Sequence, residues 1–224
     1  MRSFGPTEFY FIVAALRWTA LLSAVALLLG GLGGLFIAVA RIVPNRAARV
    51  LAGGFIELFQ DTPLLLQLFV AFFGLGIIGI SVDAWTAAVI ALSLHSAAFL
   101  GEIWRGALQA IAPTQWEASR ALSLSWLQTL RLVVVPQAIR IAVAPTVGFL
   151  VQLIKGTSVA ALIGYLEITR AGQLVSNVTL QPFTVYGVVA LLYVLLCWPI
   201  SYASQILEFR LALSTRRIPA QAGS

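Results

Sequence analysis

The sequence predicts an all-α membrane protein with five transmembrane helices. Of its 224 residues, 60% are hydrophobic and only 10% are charged, whereas about a quarter of the residues of a soluble protein are charged. Uncharged apolar runs of roughly 18 residues or more recur along the chain, and each can cross ~30 Å of hydrocarbon as a helix. The mean hydropathy of +0.97 agrees with this class and excludes a soluble domain.

The charges of the chain are sparse and mostly basic. The formal net charge is +6, and all but one of the basic residues are arginine, the exception being Lys155. A basic balance is also typical of proteins that bind nucleic acid. In a chain this apolar, however, arginines at the ends of spans mark the cytoplasmic side of the membrane. We therefore interpret the charge as orientation and expect no nucleic-acid partner.

The first predicted span runs from Phe9 to Ala40, after an external lead of residues 1–8. Its GGLGG run, Gly30–Gly34, lets a second helix approach closely, as small residues do in membranes. A local kink, or tight packing against lipid, is an equally good interpretation of these glycines. The span is too long for a cleavable signal, and no small-residue cleavage site follows it.

The turn after this span is Pro44-Asn45, and it is flanked by Arg41, Arg46 and Arg49. Arginines also concentrate in the connection between the third and fourth spans and near the C-terminus, whereas the predicted external loops hold one. We therefore expect the N-terminus outside and the C-terminus in the cytoplasm.

The second predicted span, roughly Val50 to Ile80, is unusual because it carries acidic residues at membrane depth. Glu57 and Asp61 are four residues apart and share one helical face, and Thr62-Pro63 follows them. Ionisable groups at this depth are costly unless they face the bundle interior or water.

The third predicted span runs from Ala84 to about Leu108. His95 lies within it and is expected to be a hydrogen-bonded packing residue, with a role as ligand the less favoured interpretation. Glu102 and Arg105 are three residues apart, so we expect a structural pair on the helix surface.

The fourth predicted span extends from about Val133 to Ile163 and contains a polar break at residues 155–158. An external connection, Tyr165–Gln181, is expected to include a short interfacial helix. The fifth predicted span, about Phe183 to Leu207, contains Trp198-Pro199, which indicates a kink.

Residues 101–136 form the longest polar interruption of the apolar sequence. A turn alone needs about two to six residues, so this length indicates a further role. Pro113 favours a helix start, and residues 116–122 are expected to form a short amphipathic helix. Such a helix is either a membrane-surface anchor, with Trp116 and Trp126 at the headgroup level, or a knob that fits a groove on a soluble partner.

This segment also carries a specific pattern: Glu117-Ala118-Ser119, three residues, Ser123, nine residues and then V-V-V-P. The pattern resembles the E-A-A, x3, G, x9, I-x-L-P loop of ABC importer permeases. The flanks SAAFLGEIWRGAL and PQAIRIAVAP look like the polar amino acid branch of that family. ELFQDTPLLLQL resembles that branch's E-L-F-R-G-T-P-L-L-V-Q-L, and the resemblance extends over most of the chain.

The resemblance implies a type I importer transmembrane domain over residues 9–212, followed by a flexible cytoplasmic tail at 213–224. It implies that the loop at about 109–135 holds a coupling helix that docks on an ATPase subunit, with Glu117 as a polar contact. The residues implied for coupling are Gln115, Glu117, Ala118, Ser119, Arg120 and Ser123. Ser123 stands where the family has glycine, which reaches a positive φ at lower cost than serine.

A substrate path is expected where polar residues collect at membrane depth. The residues we assign to it are Glu57, Asp61, Thr62, Gln67, Ser96, Lys155, Thr157 and Ser158. Relatives read L-K-D-T-S-L where this chain reads IKGTSV, so Gly156 replaces an acid beside the lysine. The more positive local field is expected to favour neutral or acidic amino acids, unless Asp61 compensates. The alternative is that Lys155 pairs with Glu57 or Asp61 or reaches the outer interface.

No catalytic or metal site is expected on this chain. Lys155 follows Ile154 rather than the glycine that a phosphate-binding P-loop requires. One histidine and one cysteine build neither a zinc site nor a histidine-based triad. The chain is therefore expected to be a non-catalytic subunit without a cofactor of its own, with ATP and magnesium on a partner.

The resemblance implies an ABC ATPase dimer, a second identical or homologous permease subunit and an external solute-binding protein as partners. It implies a multi-pass protein of the bacterial inner membrane that moves a polar amino acid by alternating access. The alternative is a small passive channel, or a scaffold that recruits a cytosolic partner. A channel would repeat polar residues along one face of a span, and their clustering here favours the importer.

Overall fold

The computed structural model describes residues 3–216, and its regular structure there is helical throughout. Five long segments form a bundle, a short helix lies in the connection before the fourth span, and another lies before the last. In chain order the helices are α1 (Pro6–Ile42), α2 (Arg46–Asp61), α3 (Leu64–Ile77), α4 (Ala84–Gln109), α5 (Pro113–Ala121), α6 (Trp126–Ile163), α7 (Ile168–Thr179) and α8 (Pro182–Arg216).

The all-α class and the set of predicted spans are confirmed. Among the described residues, α1, α4, α6 and α8 are long and apolar enough to cross a membrane, and α2 with α3 adds a fifth if the pair is one span. The last helix continues to Arg216 with Pro199 inside it. The final part of the predicted tail, residues 217–224, lies outside the described residues.

The second predicted span, roughly Val50 to Ile80, is broken near its middle, which the sequence analysis did not predict. α2 and α3 are bent by 103° about Thr62-Pro63. Proline has no N–H to donate and disfavours the helical region for the residue before it. Thr62 accordingly has φ −97° and ψ 137°, an extended conformation that ends α2.

The glycine run of α1 makes a close contact with α4, the first of the two interpretations that the sequence left open. A Cβ built on Gly30 would lie 2.3 Å from the Cβ of Ser96, and one built on Gly34 would lie 3.0 Å from the backbone N of Gly101. A Cβ on Gly101 would in turn lie 2.7 Å from the side chain of Ile37. Neither helix can carry a larger residue at these positions without moving, so the glycines set the separation of the two spans.

The predicted polar break in the fourth span is a change of helix type, not an interruption. The α-helical part of α6 ends at Gly156, and residues Thr157–Ile163 continue as a 3₁₀-helix. Thr157 is buried, and its Oγ1 donates to the carbonyl of Ile154 at 2.7 Å. A π-helical turn, Leu130–Val134, lies near the other end, just before Pro136.

The predicted short helix in the last connection is α7. Its N-cap residue is Glu167, whose buried carboxylate accepts hydrogen bonds from the first turn. Glu167 is fully buried and accepts hydrogen bonds from the backbone N–H groups of Thr169 and Arg170 and from the Tyr193 hydroxyl. Burial raises the pKa of Glu167, and these hydrogen bonds oppose the rise. The N–H of Ile168 also donates to a hydroxyl on α1, so α7 is fixed to both α1 and α8.

The α1–α4 contact gives a direct stability test with neighbouring glycines. Gly30→Ala places a methyl group against Ser96 and should lower the free energy of unfolding by about 1–3 kcal/mol through overpacking. Gly31→Ala is the matched control, because its Cβ would lie 3.7 Å from the nearest side-chain atom, an ordinary contact. Thermal unfolding in detergent measures both, and an equal effect of the two substitutions would contradict the close approach.

Candidate coupling site and solute path

Helix α5 lies against the ends of three spans at one end of the bundle. Its Trp116 packs with Ile111 on a hydrophobic cluster that includes Leu130 and Val134 of α6 and Ile42 of α1. We call this end of the molecule, with residues 41–49 and α5, the loop face. Trp116 is half-buried and contacts protein, so it fixes α5 to the span ends rather than serving only as a membrane anchor.

The exposed side of α5 carries the polar residues that the sequence assigns to coupling. Gln115, Glu117, Ala118 and Arg120 are exposed. Glu117 makes no hydrogen bond or ion pair with any described residue. Its carboxylate is therefore free to meet a partner group.

Ser119, another residue of the predicted coupling set, lies on the opposite side of the helix. It is 3% exposed, and its Oγ donates to the carbonyl of Gln115 at 2.7 Å. Its hydroxyl therefore bonds within α5. Ser119 lies on the buried side of this helix and offers no surface to a partner.

A cleft of about 520 Å³ opens beside α5. Its lining residues are Gln109, Ile111, Pro113, Trp116, Glu117 and Arg120. Four of these were not assigned to coupling from the sequence: Gln109, Ile111, Pro113 and Trp116. The available signal was Trp116 itself, a large apolar residue in a polar helix, which marks the side of the helix that faces the protein.

Ser123 ends α5 in the conformation that a glycine would adopt. Its φ is 58°. The N–H of Leu124 donates to the carbonyl of Ser119 at 3.1 Å, and the N–H of Ser123 donates to that of Arg120 at 2.8 Å. These two bonds are the pair that defines a Schellman C-cap. The turn geometry of the glycine-containing pattern is therefore kept with serine in the left-handed position.

At the bend between α2 and α3, the side-chain amide of Gln67 donates hydrogen bonds to backbone carbonyls that the bend leaves without a helical partner. The Nε2 of Gln67 donates to the carbonyls of Phe59 at 2.7 Å and Thr62 at 2.9 Å. The hydroxyl of Thr62 donates to the carbonyl of Leu58 at 2.6 Å. The Oε1 of Gln67 lies 3.3 Å from Nδ1 of His95. Gln67 and Thr62, both assigned to the path, thus hold the bend together.

His95 is a packing residue, as the sequence predicts. Besides its contact with Gln67, its ring packs against the rings of Phe99 and Phe149, which also contact each other. The predicted structural pair on the same helix is also confirmed, because Arg105 binds both carboxylate oxygens of Glu102.

The remaining residues assigned to the path divide into buried and exposed sets. Ser96 and Thr157 are fully buried within the chain, and the hydroxyl of Ser158 donates to the carbonyl of Lys155 at 2.7 Å. Ser96 packs against Gly30 of α1 and lines a helix contact, not an open path.

The exposed set contains the charged residues, Glu57, Asp61 and Lys155. Within residues 3–216, Lys155 forms no ion pair with either acid. The alternative in which it pairs with Glu57 or Asp61 is therefore wrong.

The side chain of Leu64 lies against Gly156. A Cβ built on Gly156 would be 3.1 Å from the Cδ2 of Leu64. This contact joins the bend to the 3₁₀ end of α6.

Comparison with known families gives one match over most of the chain. The profile of the family described as "Binding-protein-dependent transport system inner membrane component" matches residues 30–213.

Individual relatives match nearly their whole length. The chain is 36% identical to the probable amino-acid ABC transporter permease protein YckA of Bacillus subtilis (strain 168), covering 92% of this chain and 91% of that protein. It is 34% identical to the probable glutamine ABC transporter permease protein GlnM of the same organism, covering 88% and 91%. The nopaline transport system permease protein NocM of Agrobacterium fabrum is 30% identical, covering 88% and 86%.

Two solved structures share the fold. A crystal structure of an amino acid ABC transporter with histidines aligns with a TM-score of 0.85 at 31% identity, covering 89% of this chain and 94% of that chain. An inward-facing structure of the MetNI methionine ABC transporter aligns with a TM-score of 0.80 at 22% identity, covering 93% and 99%, which supports the fold alone.

The C-cap of α5 predicts a stabilising substitution. Because the left-handed conformation costs a non-glycine residue about 1–2 kcal/mol, Ser123→Gly should stabilise the turn by about 1 kcal/mol and raise the protection of its amides from hydrogen exchange. Ser125→Gly is the control, since Ser125 has φ −65° and caps the next helical turn through Gln128; that change should destabilise. Faster exchange in Ser123→Gly would refute the cap.

Proposed function

The chain belongs to the family of binding-protein-dependent transport system inner membrane components, and we propose that it forms the solute path of an ATP-driven importer for polar amino acids. Membership makes it a multi-pass permease of an amino-acid ABC transporter that works with an ATPase and a solute-binding protein. The observation that carries the mechanistic proposal is the rigid attachment of α5 to the spans, with Glu117 exposed on its outer side.

The coupling role of α5 follows from this attachment. A force applied to α5 by a partner reaches α6 and α1 through the cluster around Trp116, since packed side chains transmit displacement with little compression. We assign Glu117 and Arg120 to contacts with the ATPase and Ala118 to the position of closest approach. Gln115 is partly engaged within the chain, because its Oε1 accepts from Gln137 at 3.3 Å.

The proposed cycle is alternating access across a pair of permease subunits, identical or homologous. In this cycle ATP and magnesium bind the ATPase subunits, and this chain needs no cofactor of its own. Five spans are too few to enclose a solute path, and exposed Glu57, Asp61 and Lys155 need water or a second subunit at membrane depth. A passive channel is less favoured, because the hydroxyls of Thr157 and Ser158 bond to their own helix.

We place the loop face in the cytoplasm, because Arg41, Arg46 and Arg49 lie there. A cysteine introduced at Ser81, in the connection between α3 and α4, should react with a membrane-impermeant maleimide in intact cells. A tag after the last residue should be protected there. Reaction of the Ser81 cysteine only after permeabilisation would reverse the orientation.

The coupling proposal predicts a selective loss on charge reversal at α5. Glu117→Arg should leave insertion and thermal stability nearly unchanged, because the carboxylate is exposed and unpaired among the described residues. Transport and binding-protein-stimulated ATP hydrolysis in the reconstituted complex should both fall by more than tenfold, since an unpaired charge at an interface costs about 2–5 kcal/mol.

The control for this prediction is Glu208→Arg, which reverses an exposed acid on α8 instead. It should transport at the normal rate. The basal activity of the isolated ATPase is unaffected by either substitution, because neither lies on that subunit. Normal transport by Glu117→Arg would remove Glu117 from the interface.

We propose that the substrate is a neutral or acidic amino acid. Lys155 is exposed and unpaired among the described residues, and its neighbour Gly156 supplies no carboxylate. The local field at that point of α6 therefore disfavours a cationic side chain. Glu57 and Asp61 lie on α2 and are the residues that would weaken this bias.

Competition for uptake in vesicles with saturating binding protein tests this preference. Glutamine or glutamate should compete better than arginine, and Gly156→Asp should shift the preference towards arginine. The new side chain must displace the flexible end of Leu64, so Gly156→Asn, which has the same size without the charge, is the matched control. Equal shifts in both variants, or a native preference for arginine, would contradict the proposal.

A further inference from the structure

A second cleft on the loop face, of about 300 Å³, shares Gln109 and Trp116 with the first but has no carboxylate in its lining. It lies between the α1–α2 turn, the end of α4 and α5, and it contains two arginines and no acid. Its lining residues are Arg41, Ile42, Arg49, Leu108, Gln109 and Trp116. One part of this lining is thus cationic, and another part is apolar.

The chain holds Arg41 in place at this cleft. Its Nη1 donates to the backbone carbonyl of Arg49 at 3.0 Å, which ties the end of α1 to α2. Gly53 makes room for the guanidinium, because a Cβ there would lie 2.7 Å from the same Nη1. The Nη2 of Arg41 forms no hydrogen bond or ion pair with any described residue. A fixed guanidinium with an unused donor is suited to bind an oxyanion.

Nearby charges leave the cleft positive. Glu102, the acid close enough to interact electrostatically with Arg41, is bound through both oxygens by Arg105. The guanidinium of Arg49 forms no hydrogen bond or ion pair with any described residue. Two arginines therefore face a small cleft without a compensating carboxylate in its lining.

We propose that this cleft binds the phosphate group of an anionic phospholipid. Phosphate matches the planar donors of arginine, and basic pockets at the ends of membrane helices are suited to anionic headgroups. The residues after Arg49 supply surface for the acyl chains: Val50 and Leu51 are 64% and 75% exposed and begin a membrane segment. Inorganic phosphate would use the arginines but not the apolar wall. The proposal does not depend on the transported solute.

Lipid binding to the purified full-length chain tests this assignment. Native mass spectrometry in a neutral detergent would compare phosphatidylglycerol with phosphatidylcholine of the same acyl chains. Phosphatidylglycerol should bind at least about tenfold more tightly than phosphatidylcholine. Arg49→Gln should weaken phosphatidylglycerol binding about tenfold, which is the effect of losing one charged hydrogen bond. Arg46→Gln is the matched control, because Arg46 is exposed on the same helix and does not line the cleft.

Arg41→Gln provides a second variant and should also weaken phosphatidylglycerol binding, provided that its thermal unfolding shows a folded chain. An equal loss in Arg46→Gln, or equal binding of the two lipids, would refute a specific site. Displacement of the lipid by inorganic phosphate at matched concentrations would make it a free-phosphate site and overturn the proposal. The measurement is repeated in the assembled complex, where retained lipid supports the site; loss on assembly would assign the arginines to the ATPase instead.

Discussion

The hydrocarbon of a bilayer contains no water, so every backbone polar group of this chain at membrane depth needs a partner within the protein. The long helix α1 meets this requirement by continuing without a break from Pro6 to Ile42. The bend that Pro63 imposes at Thr62-Pro63 interrupts the helix, and Gln67 compensates by donating to the carbonyls that the bend exposes. Gln67 thereby stabilises the bend, and Leu64 just after the bend contacts Gly156.

Two further contacts convert these helices into a unit that can transmit motion. Apolar side chains gain little by leaving lipid, so close approach must come from small residues. Gly30 and Gly34 provide it between α1 and α4. At the loop face, Trp116 joins α5 to the ends of α1, α4 and α6. A partner that moves α5 therefore moves spans rather than a loose loop, which is what a coupling element requires.

The sequence predicts which residues lie at membrane depth better than it predicts which neighbour each side chain faces or how sharply a helix bends. Hydropathy and Pro113 located the spans and α5, and the glycine position of the loop pattern located the left-handed Ser123. Ser96 and Thr157 were assigned to the solute path because they are polar and deep. Their burial depends on which neighbouring helix each side chain faces. A helix that is apolar on all sides has no hydrophobic periodicity that would identify this face. The 103° bend was missed for a related reason: Pro63 indicates an interruption without giving its angle.

We propose that this chain uses ATP hydrolysis on a partner to move an amino acid delivered by a binding protein. Uptake into vesicles that contain the whole complex tests it most directly. The vesicles enclose ATP and magnesium, and the binding protein is added outside with its labelled amino acid. We expect the amino acid to accumulate above its external concentration. This accumulation should be lost when ATP is replaced by a non-hydrolysable analogue or when the binding protein is omitted. Uptake that only equilibrates, with or without ATP, would contradict it and indicate a passive channel.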